Sequence, residues 1–226
     1  MIDPDEDEIN DQLVSSWGEL ISLPRRPSHI EAQEPAYIRY TAPSLLNKHP
    51  RPYVITYEKR FVISASGTTG FRTWEAALHL GTLLSTPAGK ALIQGKNVLE
   101  IGCGVGFLAM YCLKCLDVQT ITACDMEQGL IDSMNHCLDR NGLDPQRITG
   151  RLWDWSQPFS ANAKQGEPTT FDVAIGADLI YDPDVIPLLL SAIQDLFKNH
   201  GIKQFVISAT LRNRATFEMF LHGCGT

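Results

Sequence analysis

Eleven residues, Asn97 to Phe107, carry the densest chemical signal in the 226-residue chain: NVLEIGCGVGF. Glu100 precedes glycines at alternate positions, Gly102, Gly104 and Gly106. An apolar run, then glycines, then a helical apolar pattern reads as buried strand, tight turn and helix N-terminus. Glycine tolerates φ > 0 and lets a ligand approach the backbone closely. The helix N-terminus presents free N–H donors. That combination suits a polar, nucleoside-like ligand.

Acids near neighbouring strand ends narrow the ligand. Asp125 closes the apolar run TITACD. A strand-terminal carboxylate can accept both hydroxyls of a ribose, each costly to bury unpaired. The nicotinamide fingerprint G-x-G-x-x-G is not matched, because the third glycine falls at 106 and Phe occupies 107. Glu100 would also repel a pyrophosphate. A second carboxylate suits a ligand with a cationic portion, and S-adenosylmethionine has one in its α-ammonium and sulfonium. Simpler readings exist for each acid: a helix N-cap for Asp125, and a carboxylate bonded to loop amides for Glu100. The two together favour ligand binding. Trp74 follows Gly67, Gly70 and a threonine run, and composition leaves core anchor and ligand contact both open. Cys112 and Cys115 form a CxxC within a helical pattern, with no second ligand pair. Core packing explains them better than zinc or redox chemistry.

Alternating strands and helices must position these residues. Strands are expected at 97–101, 120–125, 148–152, 171–178 and 204–210. Helices are expected from Trp74 to Leu84 with Thr73 as N-cap, from Lys90 to Gln94, from the glycine turn to Leu116, over 127–141 with Gly142 closing the end, from Asp182-Pro183 through 188–197, and from about Ala215. The alternation at Tyr53–Tyr57 and Arg60–Ser64 predicts a hairpin, or two extended segments beside the main sheet. The whole is an α/β fold built on a parallel sheet with right-handed crossovers. Ligands of such sheets bind beyond the C-terminal strand ends. Glu100–Gly106, Asp125, Trp153–Trp155 and Ala177–Tyr181 should therefore converge on one crevice.

E-I-G-C-G-V-G resembles the E/D-x-G-x-G-x-G signature of Rossmann-like, seven-β-strand class I methyltransferases. GTTGFRTWEAALHL, LWDW, ADLIYDP and SATLRN are similar to the lysine-targeting branch, and within it to the FAM86-type methyltransferases that modify elongation factor 2. The resemblance covers roughly Ala36 to Leu221. It implies S-adenosyl-L-methionine as cofactor and a protein substrate. Trp74 would lie against the methionine side, with Gly102, Cys103 and Gly104 lining the cofactor through backbone atoms. Asp125 would hold the ribose, Asp154 and Trp155 would sit by the adenine, and Ala177 by the sulfonium. Glu100 and Gly106 complete the cofactor-binding set. Asp178 and Tyr181 would be the catalytic pair facing the incoming lysine. The simpler reading of Asp178-x-x-Tyr181 is a capped turn with a packed tyrosine. The class I sheet ends in an antiparallel hairpin, which these five strands lack. The expectation is a chain shortened at its C-terminus, with an open edge at the fifth strand.

Composition sets the bounds. The apolar share of 44% supports a sizeable core. Asp3, Asp5, Glu6, Asp7, Glu8 and Asp11 account for six of the seven net negative charges. Residues 1–35 therefore read as an acidic, loosely ordered extension to a domain at 36–226. Nothing is basic enough for a nucleic-acid domain, and no apolar stretch has the length of a membrane span. Thiols placed within helices and strands suit a reducing compartment, and a cytoplasmic location is expected. The leading function is a protein-lysine N-methyltransferase acting on elongation factor 2. The alternatives are a methyltransferase of another protein or small molecule, or an inactive cofactor-binding or interaction protein.

Overall fold

A computed structural model describes residues 11–22, 34–46, 49–59, 69–162 and 166–225. The chain divides into two units, Met1–Glu34 and Pro35–Thr226. In the first unit, helix α1 (Asp11–Ser22) carries Leu13, Trp17 and Leu20 on one exposed apolar stripe.

The second unit is built on five parallel strands, β3 (Asn97–Ile101), β4 (Thr120–Asp125), β5 (Ile148–Leu152), β6 (Val173–Ala177) and β7 (Phe205–Ser208), in the order β5-β4-β3-β6-β7. Each expected strand forms, although the last two are shorter than their apolar runs. Side chains of β3 alternate between two cores, as period-two geometry requires. Val98 joins a cluster with Leu108, Met110, Ile131 and Met134, so α4 (Phe107–Cys115) and α5 (Gln128–His136) cover one face. Leu99 and Ile101 join Ile186, Leu189 and Phe220 on the other face, covered by α6 (Ile186–Asn199) and α7 (Arg214–Gly223). A sheet buried on both sides needs near-continuous apolar strands, which is what VLEI and VAIGA supply. Cys112 and Cys115 are fully buried in α4, in the packing role expected of them.

Several expectations need correction. Strand β2 (Tyr53–Glu58) pairs antiparallel with β1 (Ala36–Thr41), a strand the sequence pattern did not mark. The expected partner at 60–64, and Gly67, lie outside the described residues. Asn141 fastens this ribbon to the domain: its Oδ1 accepts the Ile55 N–H at 2.8 Å, and its Nδ2 donates to the Ile55 carbonyl at 2.7 Å. Helix α2 spans Glu75–Leu84 with Trp74 at the N-cap position, so Thr73 does not cap it. The Thr73 hydroxyl instead donates to Glu58 at 2.7 Å, a charge-assisted bond that outcompetes a cap. The buried residues of α2 are Ala76, Leu80, Gly81 and Leu84, with Ala77 and Leu78 partly buried against the same core. Helix α3 (Pro87–Ile93) starts at Pro87, because proline suits the first helical turn. Thr86 caps it by accepting the Gly89 N–H at 3.1 Å. The helix expected over 127–141 is α5 followed by a separate 3-10 turn, Asp139–Asn141, which Gly142 ends at φ 63°.

Candidate active site

The strand order reverses at β3: β4 and β5 extend to one side, β6 and β7 to the other. Connections from β3 and β6 leave on opposite faces, and their diverging ends open a crevice. A cavity of about 260 Å³ sits there. Trp74, Glu100, Gly102, Cys103, Gly104, Asp125, Asp154, Trp155, Ala177, Asp178 and Tyr181 all line it, so the four strand ends meet as expected.

Gly106 is the exception. It does not line the cavity; it precedes α4 with φ 78°, and a Cβ there would lie 2.3 Å from Met134 Cγ on α5. Its role is a left-handed turn and close helix packing. Gly104 does line the cavity. It adopts φ 54°, and its N–H donates to Asp125 Oδ2 at 2.9 Å.

Glu100 is buried on β3, only 2% exposed, and its Oε2 has no hydrogen-bond partner among the described residues. Burial pushes its carboxyl well above the ordinary range. The Ala109 N–H opposes that shift, and the Asp125 charge adds to it. Glu100 is among the residues lining the cavity, and a buried polar atom left unsatisfied calls for an explanation that a ligand group can supply. Asp125 is also pushed up by burial, against hydrogen bonds from backbone N–H groups. Its Oδ1 accepts the Glu127 N–H at 3.3 Å just before α5, so part of its carboxylate is used locally. Each oxygen retains a second lone pair for a hydroxyl.

Trp74 is half-buried in the cavity wall. Its Nε1 donates to the Thr69 carbonyl at 2.9 Å, and the Arg72 guanidinium lies 4.2 Å from its ring centroid. Asp154 accepts the Ser156 N–H at 2.9 Å and so shapes the turn that presents Trp155. Asp178 follows β6 with φ 60°, unusual for a residue other than glycine. Its Oδ1 accepts the Thr210 N–H at 3.1 Å and its Oδ2 the Arg212 Nη2 at 2.7 Å. These bonds hold a conformation that costs about 1–3 kcal/mol. Tyr181 stands at the rim, 46% exposed. Its hydroxyl is pushed up by burial first, then by Asp125, Asp182 and Asp178.

The sequence pattern did not reveal the residues that brace this wall. Glu58, 1% exposed, accepts from the Thr56 hydroxyl at 2.5 Å, the Thr73 hydroxyl at 2.7 Å, and the Thr73 N–H and Tyr40 hydroxyl at 3.2 Å. It ties the β1–β2 ribbon to the segment carrying Trp74. Arg212 lies within SATLRN, but its partner becomes visible only once β6 and β7 are known to be neighbours.

A doubly wound parallel sheet with a cavity at its reversal point and carboxylates near successive strand ends defines a Rossmann-like α/β fold. The lysine methyltransferase family matches residues 59–223, and the chain belongs to that family. It is 38% identical over 221 residues to the protein-lysine N-methyltransferase EFM3 of Chaetomium thermophilum, covering 96% of this chain and 65% of that protein. Similarity to EFM3 of Saccharomyces cerevisiae is 31% over 181 residues, covering 72% and 50%. To the human protein-lysine N-methyltransferase EEF2KMT it is 26% over 180 residues, covering 74% and 53%. The chain thus spans between half and two-thirds of the length of these relatives. A Streptococcus mutans structure assigned to the SAM-dependent methyltransferases shares the fold at a TM-score of 0.54 and 13% identity, covering 90% of this chain and 48% of that one. Family membership indicates S-adenosyl-L-methionine as the cofactor.

Proposed function

We propose that this chain is an S-adenosylmethionine-dependent protein-lysine N-methyltransferase, that its substrate is translation elongation factor 2, and that it works in the cytoplasm. The observation that carries the activity is the cavity at the reversal point of the sheet, lined by Glu100, Gly102, Gly104, Asp125 and Trp155, in which Glu100 takes the cofactor's cationic end. Asp125 takes the ribose hydroxyls, Trp155 and Asp154 flank the adenine, and Trp74 closes the methionine side. The family and the 38% relative support lysine as the acceptor. The choice of elongation factor 2 rests on the phrases GTTGFRTWEAALHL, LWDW, ADLIYDP and SATLRN.

When bound, the cofactor supplies a methyl group on a positively charged sulfur, already activated for transfer. The protein's task is alignment, which alone lowers such barriers greatly. The acceptor nitrogen must arrive neutral. Desolvation in the cavity lowers a lysine pKa, whereas a nearby carboxylate raises it. Asp178 therefore orients the amine as a hydrogen-bond acceptor and does not serve as its base. Tyr181 offers a hydroxyl to the amine, or its ring face to a methylated ammonium. The test is transfer of radiolabelled methyl groups from S-adenosylmethionine into cell extract, followed by identification of the labelled species. Labelled elongation factor 2 supports the proposal. A labelled small molecule, or no label at all, contradicts it.

A further inference from the structure

A solvated ion pair contributes little. Arg214–Glu218 has side chains 86% and 58% exposed. Arg212–Asp178 differs: the carboxylate is 6% exposed, lines the cavity and is met by Arg212 Nη2 at 2.7 Å. Arg212 reaches it from the segment between β7 and α7, and the same guanidinium stands 5.0 Å from the Trp74 ring centroid. One side chain thus touches two walls of the cavity, after β6 and before α2.

The charge pattern gives this contact a consequence. Glu100 comes from β3, Asp125 from the end of β4, and Asp178 and Asp182 from the segment after β6. An acceptor lysine entering beside Tyr181 meets this acidic side, and unopposed carboxylates would hold it protonated. Arg72, before α2, already pairs with Glu75 at 2.9 Å. Among the described residues, Arg212 is the cation paired with Asp178.

Resting on the methyltransferase reading above, we propose that Arg212 is a positioning residue that cancels the field of Asp178 at the acceptor amine. Asp178 then orients the lysine without keeping it protonated. Asp178 alone would attract the amine and also fix it in the unreactive ammonium form. The pair is close to neutral overall, and the carboxylate still has lone pairs free to accept a hydrogen bond.

The experiment is the pH dependence of methyl transfer to purified, unmethylated elongation factor 2 by the wild type, Arg212→Met and Arg212→Lys. S-adenosylhomocysteine binding by calorimetry checks each variant for an intact cofactor cavity. With Arg212→Met, the rising limb of kcat/KM against pH moves up by about one pH unit. Arg212→Lys keeps the wild-type midpoint, because it keeps the charge. A merely structural role lowers the rate of Arg212→Met and leaves the midpoint in place, which overturns the inference while the methyltransferase reading stands. Should Arg212→Met fail to bind S-adenosylhomocysteine, Arg212→Gln, which removes the charge but keeps a hydrogen-bond donor, takes its place: a midpoint raised to the same extent supports the inference and an unchanged one overturns it. A wild type that transfers no methyl overturns the proposed function, and this inference falls with it.

Discussion

A carboxylate buried on β3 with one oxygen unpartnered costs the fold roughly 1–3 kcal/mol. Under the proposed function, a cationic ligand group offsets that cost. Burial raises its pKa, so the folded chain holds a proton that the unfolded chain has released. Its contribution to stability is therefore fully present below the unfolded value and is lost as pH rises through the folded one. Glu100→Gln should raise the melting temperature of the ligand-free protein at neutral pH. The same variant should weaken S-adenosylhomocysteine binding at least tenfold, roughly the worth of one charge-assisted hydrogen bond. Calorimetry and thermal melting read both effects, and unchanged affinity would count against the assignment. Asp178→Ala should keep cofactor affinity and lower kcat by about a hundredfold or more, since it removes an orienting acceptor. Unchanged turnover would remove Asp178 from the mechanism. At this scale the sequence was informative wherever a residue type is demanded locally: an acid beyond a strand, or a glycine in a tight turn. It misled at Gly106, whose spacing matches the cradle but whose space is filled by Met134.

Helices and strands were legible to the extent that their burial pattern is local. Strand β3 and strand β4 have the ends their apolar runs predict, because both faces are covered. Strand β1 was not legible: AYIRYT is exposed or half-buried along its length and is defined by its partner β2. The start of α2 was misread for a similar reason. Thr73 looks like a cap in sequence, but a buried glutamate from β2 takes its hydroxyl. Two predictions follow from these braces. Gly106→Ala combines a left-handed φ with a Cβ 2.3 Å from Met134 Cγ. It should cost about 2–4 kcal/mol in urea unfolding. Adding Met134→Ala to that variant should cost less than it does in the wild type, because the clash is relieved. Glu58→Ala removes the acceptor of the Thr56 and Thr73 hydroxyls and should cost about 2–4 kcal/mol. It should also weaken S-adenosylhomocysteine binding, because the Trp74 segment loses its anchor. Destabilisation with full affinity would separate Glu58 from the cavity.

In the whole domain, the cavity sits where the topology leaves a gap. The sheet is wound in both directions from β3, and the reversal opens the crevice that glycines and acids then furnish. The doubly wound plan could be read from alternating apolar runs, and the convergence of strand ends followed from the plan. The pairing of Asp178 with Arg212 could not be read, because it depends on β6 lying beside β7. The central claim is that this cavity moves a methyl group onto a lysine of a protein. Its most direct test incubates the chain with S-adenosylmethionine and purified, unmethylated elongation factor 2, then maps the factor by peptide mass spectrometry. The account predicts added methyl mass on a lysine, absent with Asp178→Ala and without cofactor. An unmodified factor, from a chain that binds S-adenosylhomocysteine, would contradict it.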